Sequence, residues 1–284
     1  MLKTIKLKSW PDFEKIIKKQ LLYDTQNIKV GPYFYRGHPD ATWHLKTTLE
    51  RSAGRLTLDS YYHMIERIQP EIETFTDRKW DLPNYQDYLL TLRKYPFRMN
   101  EQVEIYMGYL RHFGFPSPLL DWTLSPFVAA YFAFRDVTST AKSISIYQFL
   151  ASIVDLSHKQ LADDAQIFPI FSSTQKNKRH HLQQSVYTIC LEETNGGIYF
   201  ANHEEPRLIG RESGDYIIKY ELPVSERITA LHSLEAYNIN AFSLIGSEES
   251  LLESLFLNTY KEAMMYVNMY AADSQKQDIN SFWH

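Results

Sequence analysis

A short polar stretch stands directly before a strongly apolar helix. It contains Asp121, Trp122, Thr123 and Ser125, which supply one carboxylate, one indole and two hydroxyls. Ser125 is a suitable N-cap, because its hydroxyl can accept a hydrogen bond from a free amide, and the proline after it suits the first helical position. Apolar or small residues then cover every face of the helix, which predicts that it is buried. Polar groups at its start need partners, so they either fasten the loop or form one wall of a ligand site.

Arg36 is a second candidate, because it lies in the aromatic segment 32–37, whose pattern predicts a strand. A guanidinium cannot lose its charge, so an arginine in such a strand requires an anionic or carbonyl partner. Two interpretations stay open: a buried ion pair, most simply with Asp121, or a fixed fork for a phosphate or carboxylate of a ligand. Gly37 would let a ligand or backbone come close. Tyr35 would stack on a planar ring or belong to the core.

Two glutamines form a third candidate group. Gln183 and Gln184 follow Arg179 in a segment interpreted as the start of a strand. Their neutral amides suit the recognition of an amide or a sugar hydroxyl, or they solvate the end of a β-ladder. His180 and His181 are adjacent, so on a strand they would face opposite sides, and with no cysteine cluster they predict no metal site.

Composition and missing motifs exclude several classes of function. The sequence has no Gly-rich phosphate loop, no Walker lysine, no GxSxG and no HExxH. A net charge of -4 over 284 residues argues against a nucleic-acid footprint on the whole chain. The single cysteine, Cys190, permits no internal disulfide, which is typical of a reducing cytosol. No apolar run approaches the ~20 residues of a spanning helix, and no signal peptide is recognised. We therefore expect a cytoplasmic protein with no membrane partner.

The apolar patterns predict a mixture of helices and strands without regular βαβ repetition. Helices are expected over 10–21, over 57–79 with a bend at Pro70, after Asn100, near 225–237 and from Ser247. Strands are expected over 143–150, 185–191, 198–201, 216–222 and 241–245, while 155–178 shows no clear element. The fold class is thus α+β, a single mixed domain with a small twisted, largely antiparallel sheet flanked by helices and with a helical N-terminal part. We expect a helical extension over 1–29, the domain over 30–265, and a helix end and tail over 266–284.

Four stretches resemble the FRG domain. Residues 33–37 resemble the F-x-R-G signature that names it, and residues 43–51 resemble its W-x-L-x-P-S-L-x-R stretch. Residues 112–133, which begin with His112, resemble its H-x-G-L-P-T-R-L-L-D-W-T-x-x-P…A-x-x-F-A block, the most specific match. Residues 183–188, after Arg179, resemble its R-x-x-x-Q-x-G-x-F-T element. The similarity covers roughly residues 30–260. Residues 117–118 depart from the usual Thr-Arg, and Ser185 stands near the usual glycine.

The order of these motifs also resembles that of ADP-ribosyltransferases of the Arg–Ser–Glu type. This resemblance implies that Arg36 holds the diphosphate of NAD. It implies that Thr123 and Ser125 brace the pocket for the nicotinamide ribose, and that Gln183 or Gln184 takes the place of the catalytic glutamate.

A glutamine carries no charge to stabilise an oxocarbenium-like state. The carboxylate would then come from elsewhere, from Asp121 or from Glu248. Glu248, however, stands in the first turn of the last helix, where an acid is expected for the helix dipole alone.

We therefore expect an FRG-domain protein that binds a nucleotide-type ligand. NAD is the candidate cofactor and no metal is expected. The first hypothesis is an NAD-consuming or ADP-ribosyl-transferring effector of a toxin or phage-defence system, whose acceptor would be a protein or a nucleic acid. The alternative is a non-catalytic module that senses a nucleotide or a nucleic acid. The expected catalytic residues are Arg36, Asp121, Thr123 and Gln184, and the expected ligand-binding residues are Tyr35, Gly37, His112, Trp122, Ser125, Arg179 and Gln183.

Overall fold

The described strands of the molecule form one eight-stranded sheet. The computed structural model describes residues 2–26, 32–96, 99–150, 160–170, 178–205, 216–257 and 259. The strands are β1 (Leu2–Lys6), β2 (Tyr33–His38), β3 (Leu120–Thr123), β4 (Ser143–Leu150), β5 (Gln166–Ile170), β6 (Ser185–Thr194), β7 (Gly197–Phe200) and β8 (Ile217–Pro223).

The sheet is mixed but mostly antiparallel. Its order is β1-β8-β4-β2-β3-β6-β5, with β7 also paired to β6. Only the pairing of β1 with β8 is parallel among the described pairs. With the helices around it, this sheet confirms the predicted α+β class.

Helices cover the sheet and connect its strands. They are α1 (Trp10–Gln26), α2 (Thr48–Ala53), α3 (Leu58–Thr76), α4 (Tyr85–Lys94), α5 (Glu101–His112), α6 (Pro126–Arg135), α7 (Lys178–Leu182), α8 (Arg227–Ala236), α9 (Ala241–Ile245) and α10, which is described over 248–257. None of these described helices is long and apolar enough to cross a membrane.

The apolar helix α6 lies directly on β2, as its composition predicts. Ser125 caps it by accepting a hydrogen bond from the Val128 amide at 3.3 Å, and a proline opens its first turn. Gly37 permits the close approach, because a Cβ at this position would lie 2.0 Å from the backbone oxygen of Ala129. Of the two uses expected for Gly37, the structure shows the close approach of backbone, here the backbone of α6.

Two helical cores share one face of the sheet. One packs α1, α6 and α8 against β2, β4 and β8, and includes Trp10, Phe134 and Leu234. The other packs α3, α4 and α5 against β5 and β6, and includes Tyr106 and Tyr187. A third cluster lies on the opposite face, under β2, β3 and β4. Strand β3 thus runs below the seam between the two helical cores.

Three predicted elements are wrong. Residues 241–245 form α9 instead of a strand, with a capping box between Asn240 and Ser243 and with Gly246 as a left-handed C-cap. Residues 178–182 form a helix, where a strand start was expected. Strand β5 lies inside 155–178, where no element was expected. Residues 155–159, 171–177 and the tail 266–284 lie outside the described residues.

The N-terminal segment was expected to be helical. It does form α1, but the strand β1 precedes it and pairs with β8. Short alternating strands at the edge of a sheet carry a weak pattern, and Lys3 and Lys6 obscure it further.

Candidate functional site

Arg36 reaches into a gap between β2 and β3. The two strands pair only where Tyr35 lies opposite Thr123, and they separate beyond that point. Arg36 Nη1 donates to the backbone oxygen of Asp121 at 2.7 Å and lies 3.6 Å from its carboxylate Oδ2. The ion pair with Asp121, one of the two interpretations of Arg36, is therefore present, and the guanidinium replaces the ladder bond that the separated strands do not make.

A second arginine binds the same carboxylate. Arg111, in the last turn of α5, donates from Nη2 to Asp121 Oδ2 at 2.5 Å. Its Nε is buried and has no hydrogen-bond partner among the described residues. The exposed fractions of the side chains are 19% for Arg36, 22% for Arg111 and 36% for Asp121, so solvent reaches the group.

We call Arg36, Arg111 and Asp121 the guanidinium cluster. It carries more positive than negative charge. Burial lowers the pKa of Arg36, Asp121 opposes that effect, and the charges of Arg111 and Arg51 lower the pKa further. Arg51 is exposed on α2, where its Nη1 donates to the backbone oxygen of Lys46 at 2.7 Å. The site therefore gathers more guanidinium charge than its one carboxylate neutralises, which favours an anion.

Two buried histidines lie on the Arg36 side of the cluster. His38 Nε2 accepts from Arg36 Nε at 3.0 Å. Thr188 Oγ1 accepts from Trp122 Nε1 at 2.7 Å and lies 2.9 Å from His203 Nε2. Burial and then the charge of Arg36 lower the pKa of both histidines to about 3. Both rings are therefore neutral near pH 7, and they add no positive charge to the cluster.

Another pair of histidines lies on the Asp121 side. Tyr187, which is opposite Asp121 in the register, places its hydroxyl 2.7 Å from His180 Nε2. The rings of His180 and His112 meet edge to face at 6.1 Å. Burial lowers the pKa of both histidines, and Asp121 raises it; the charge of Arg179 lowers the pKa of His112 as well. Burial and then Asp121 raise the pKa of Tyr187.

The predicted catalytic hydroxyl of Thr123 has a structural role. Thr123 is buried; its Oγ1 donates to the backbone oxygen of Gln183 at 2.7 Å and accepts from the Ser125 amide at 3.1 Å. Gln184 is exposed, has a positive φ of 48° and accepts from the Leu124 amide through its backbone oxygen at 3.0 Å. These contacts fasten the loop between β3 and α6 to the turn before β6.

The structure also places several expected ligand-binding residues elsewhere. Tyr35 is buried in the core beneath α6, and its hydroxyl accepts from Gln20 at 3.1 Å. Trp122 is buried in the cluster on the opposite face. The amide of Gln183 donates to the backbone oxygen of Leu244 at 3.1 Å, which ties α9 to this turn. The three side chains thus make packing and connecting contacts in this structure, and their expected role as ligand walls stays a prediction.

The remaining expected residues are exposed. Arg179 lies on α7, close enough to His112 to affect its pKa. Glu248, the alternative source of a carboxylate, is exposed at the start of α10. Asp121 is therefore the candidate carboxylate that the structure places beside Arg36.

Sequence reasoning missed Arg111, His180 and Tyr187. Arg111 precedes the 112–133 block by one residue. The sequence predicts α5 from its apolar face alone, and that pattern gives no role to Arg111. His180 was set aside because a strand was expected there, whereas on α7 it turns toward Tyr187. The alternation of β6 would have placed Tyr187 on one face of the sheet, but only the register brings it opposite Asp121.

A comparison with protein-family models identifies the domain that contains the guanidinium cluster. The model of the FRG domain matches residues 31–142, which include Arg36, Arg111 and Asp121. The chain carries an FRG domain. Neither a search of curated proteins nor a search of solved structures found a match. His180 and Tyr187 lie beyond the matched FRG segment, so the later elements α7 and β6 complete the surroundings of its arginines. Among the described residues, no three His, Cys, Asp or Glu side chains are grouped to hold a metal ion.

Proposed function

We propose that this FRG-domain protein binds a nucleotide-type ligand through its phosphates at the guanidinium cluster, with NAD as the first candidate. The observation that carries the proposal is the convergence of two guanidiniums on one partly exposed carboxylate. Each guanidinium has five N–H donors, whereas the described residues receive three hydrogen bonds from the two together. Donors and positive charge are left over for a phosphate.

The geometry also allows a bound phosphate to replace the Asp121 carboxylate as the partner of the two arginines. Asp121 holds Arg36 and Arg111 in place, and a diphosphate offers the same guanidiniums more negative charge and more acceptor oxygens. A bound phosphate would compete with the carboxylate for the arginines. Replacing Asp121 by asparagine should therefore raise the affinity for phosphate, and the affinity should fall as salt concentration rises.

Calorimetric titration tests the binding. NAD, ADP-ribose and adenosine are titrated into the wild-type protein, Arg111→Gln and Arg93→Gln. Arg93 is the matched control, since it is a surface arginine whose partner is Glu193 at 2.8 Å. Loss of a charge-assisted hydrogen bond should weaken NAD and ADP-ribose at least about tenfold in Arg111→Gln. Arg93→Gln should bind as the wild type does, and adenosine should bind far more weakly than ADP-ribose.

Two outcomes would contradict the proposal. One is a wild-type protein that binds neither NAD nor ADP-ribose. The other is an Arg111→Gln protein that is folded by circular dichroism and binds both ligands with wild-type affinity.

A second candidate function is cleavage of the bond between nicotinamide and ribose. The observation that favours it is the accessibility of Asp121, with 36% of its side chain exposed, next to the proposed phosphate site. In this reaction the C–N bond breaks and its electron pair leaves with nicotinamide. Water attacks the ribose carbon, loses a proton and yields ADP-ribose. Asp121 would stabilise the positive charge that develops on the ribose.

Asp121→Asn separates the two functions. If the protein cleaves NAD, this variant should lose nicotinamide release by at least about a hundredfold while NAD affinity is kept or raised. A wild-type protein that binds NAD and releases no nicotinamide is a binding module. Gln184 is exposed at the position expected for a catalytic glutamate and carries no charge, which favours a binding module.

A further inference from the structure

A row of five rings runs from the half-buried Tyr109 through the exposed Phe113 to Tyr187, which lies opposite Asp121 in the register. Tyr109 and Phe113 meet at 4.7 Å between centroids, Phe113 and His112 at 5.0 Å, His112 and His180 at 6.1 Å, and His180 and Tyr187 at 5.2 Å. We call this set of residues the ring row. Three of its members, His112, His180 and Tyr187, are close enough to Asp121 for that carboxylate to affect their pKa.

Phe113 is the second member of the ring row and is unusually exposed. Its exposed fraction is 67%, whereas Phe115, two residues later, packs against the core. Leaving such a side chain in water forgoes most of the free energy that its burial would contribute. Of these two phenylalanines, Phe115 therefore contributes to the core and Phe113 remains at the surface.

The backbone fixes Phe113 in this outward position. Its amide donates to the Tyr109 oxygen at 3.1 Å and closes α5. Gly114 then adopts a positive φ of 88°, which returns the chain so that the Phe115 amide donates to the Leu110 oxygen at 3.0 Å. A side chain held by a helix C-terminus and a ring contact loses little further freedom when a ligand stacks on it.

The ring row continues into polar surroundings that suit a nucleotide. Burial lowers the pKa of His112 and His180, so both rings are neutral near pH 7 and present flat, uncharged edges and faces. Arg111 precedes His112 in the chain and binds Asp121. Stacking surface and phosphate-binding donors are therefore adjacent, as a base and its phosphate are in a nucleotide.

We propose that the ring row is the wall on which a planar heteroaromatic ring of the ligand stacks, with Phe113 as the exposed platform. This proposal rests on the proposed function, since it places the ring beside phosphates bound at the guanidinium cluster. The chemistry is shared by adenine and nicotinamide, and the ligands used below distinguish them.

The experiment measures the affinities of three phosphate ligands. ADP-ribose carries adenine alone, nicotinamide mononucleotide carries nicotinamide alone, and ribose 5-phosphate carries no ring base. Each is titrated into the wild-type protein, Phe113→Ala, Phe113→Trp and Phe75→Ala. Phe75 is the matched control, because it is 91% exposed at the end of α3 and has no described ring contact.

Phe113→Ala should weaken the ring-bearing ligand that uses the wall by about 5- to 150-fold, the range for stacking of one base on an aromatic side chain. It should leave ribose 5-phosphate unchanged, and Phe113→Trp should restore the ring-bearing ligand. The melting temperature of Phe113→Ala should equal that of the wild type, since the side chain is largely exposed. Phe75→Ala should change none of these quantities.

The outcomes separate the two proposals. If ring-bearing ligands bind Phe113→Ala as tightly as the wild type, the stacking wall is wrong and phosphate binding stands. Equal losses for ribose 5-phosphate and the ring-bearing ligands also overturn the wall. A wild-type protein that binds none of the three ligands overturns the proposed function, and the wall with it.

Discussion

At the scale of single residues, Asp121 has two roles that an isolated ion pair would not have. Its backbone oxygen accepts from Arg36, and its carboxylate accepts from Arg111. The first contact closes a gap in the sheet, and the second joins α5 to β3. The two interpretations of Arg36 left open by the sequence are therefore compatible: it forms an ion pair, and it still has donors for a ligand.

A substitution of Thr123 tests whether its hydroxyl stabilises the fold without contacting the ligand. Thr123→Val removes the hydroxyl that donates to Gln183 and accepts from Ser125. Unsatisfied buried partners should lower the free energy of unfolding by about 1–3 kcal/mol, measured by urea titration. NAD affinity, measured by calorimetry, should not change. Thr123→Ser, which keeps the hydroxyl, should recover most of the stability.

The opposite pattern would restore the catalytic interpretation of Thr123. A Thr123→Val protein with wild-type stability and lost nucleotide binding would show that this hydroxyl touches the ligand. The contacts that fasten it are with backbone groups, which the sequence does not reveal. The sequence singles out the polar stretch 121–125, but which of its members faces solvent depends on the pairing of β3.

At the scale of elements, the sequence predicts helix caps and an alternating strand correctly, because interactions among neighbouring residues determine them. Ser125 caps α6, Asn100 caps α5, and the alternation at 143–150 gives β4 with the predicted bounds. Residues 241–245 show where prediction from such patterns fails, because five apolar and small residues are compatible with a strand as well as with a helix. Asn240 and Gly246 at the two ends decide for the helix, and these capping residues could have been recognised in the sequence.

Helix α10 docks through polar groups, which no apolar pattern would predict. Glu253 accepts from Arg135 Nε and Nη2, each at 2.7 Å, and from the Tyr131 hydroxyl at 3.1 Å. Ser254 Oγ accepts from the Phe242 amide at 3.0 Å and is buried, whereas Leu252 is 61% exposed. The apolar residues of this helix thus point outward, and the forked ion pair holds it in place.

Replacing Glu253 should therefore loosen α10. Glu253→Gln breaks a bidentate, charge-assisted contact and should lower the free energy of unfolding by about 1–2 kcal/mol. Hydrogen exchange measured by mass spectrometry should become faster in residues 248–257. Glu248→Gln, an exposed position on the same helix, is the control and should leave exchange unchanged. Equal protection in both variants would mean that the ion pair does not hold the helix.

At the scale of the whole molecule, the site exists because distant segments meet at one seam. Arg36 comes from β2, Arg111 from α5, Asp121 from β3 and His180 from α7. Two helical cores meet above β3, and polar groups collect where neither core covers the sheet. The need of Arg36 for a partner could be read from the sequence. The seam could not, because it depends on the strand order and register of the whole sheet.

Acid should destabilise the whole molecule through its buried histidines. The pKa of His38 and His203 is about 3 in the folded protein, far below the ~6.5 of an unfolded chain. Stability is therefore fully present above pH 6.5. Below that pH the unfolded state binds protons that the folded state refuses, so the free energy of unfolding falls as pH falls toward 3. Each of the two histidines should contribute a slope of about 1.4 kcal/mol per pH unit.

The measurement is urea unfolding of the wild-type protein and His203→Gln at half-unit steps from pH 8 to pH 5. This window lies above the range in which Glu73 and Glu253, whose pKa values are lowered, exchange protons. Below pH 6 the variant should lose stability less steeply than the wild type by about 1.4 kcal/mol per pH unit, whatever its stability at pH 8. Parallel curves would mean that the folded protein protonates His203 as readily as the unfolded chain does. The imidazole would then lie within reach of water beside Arg36, and the neutral surroundings assigned to that guanidinium would be wrong.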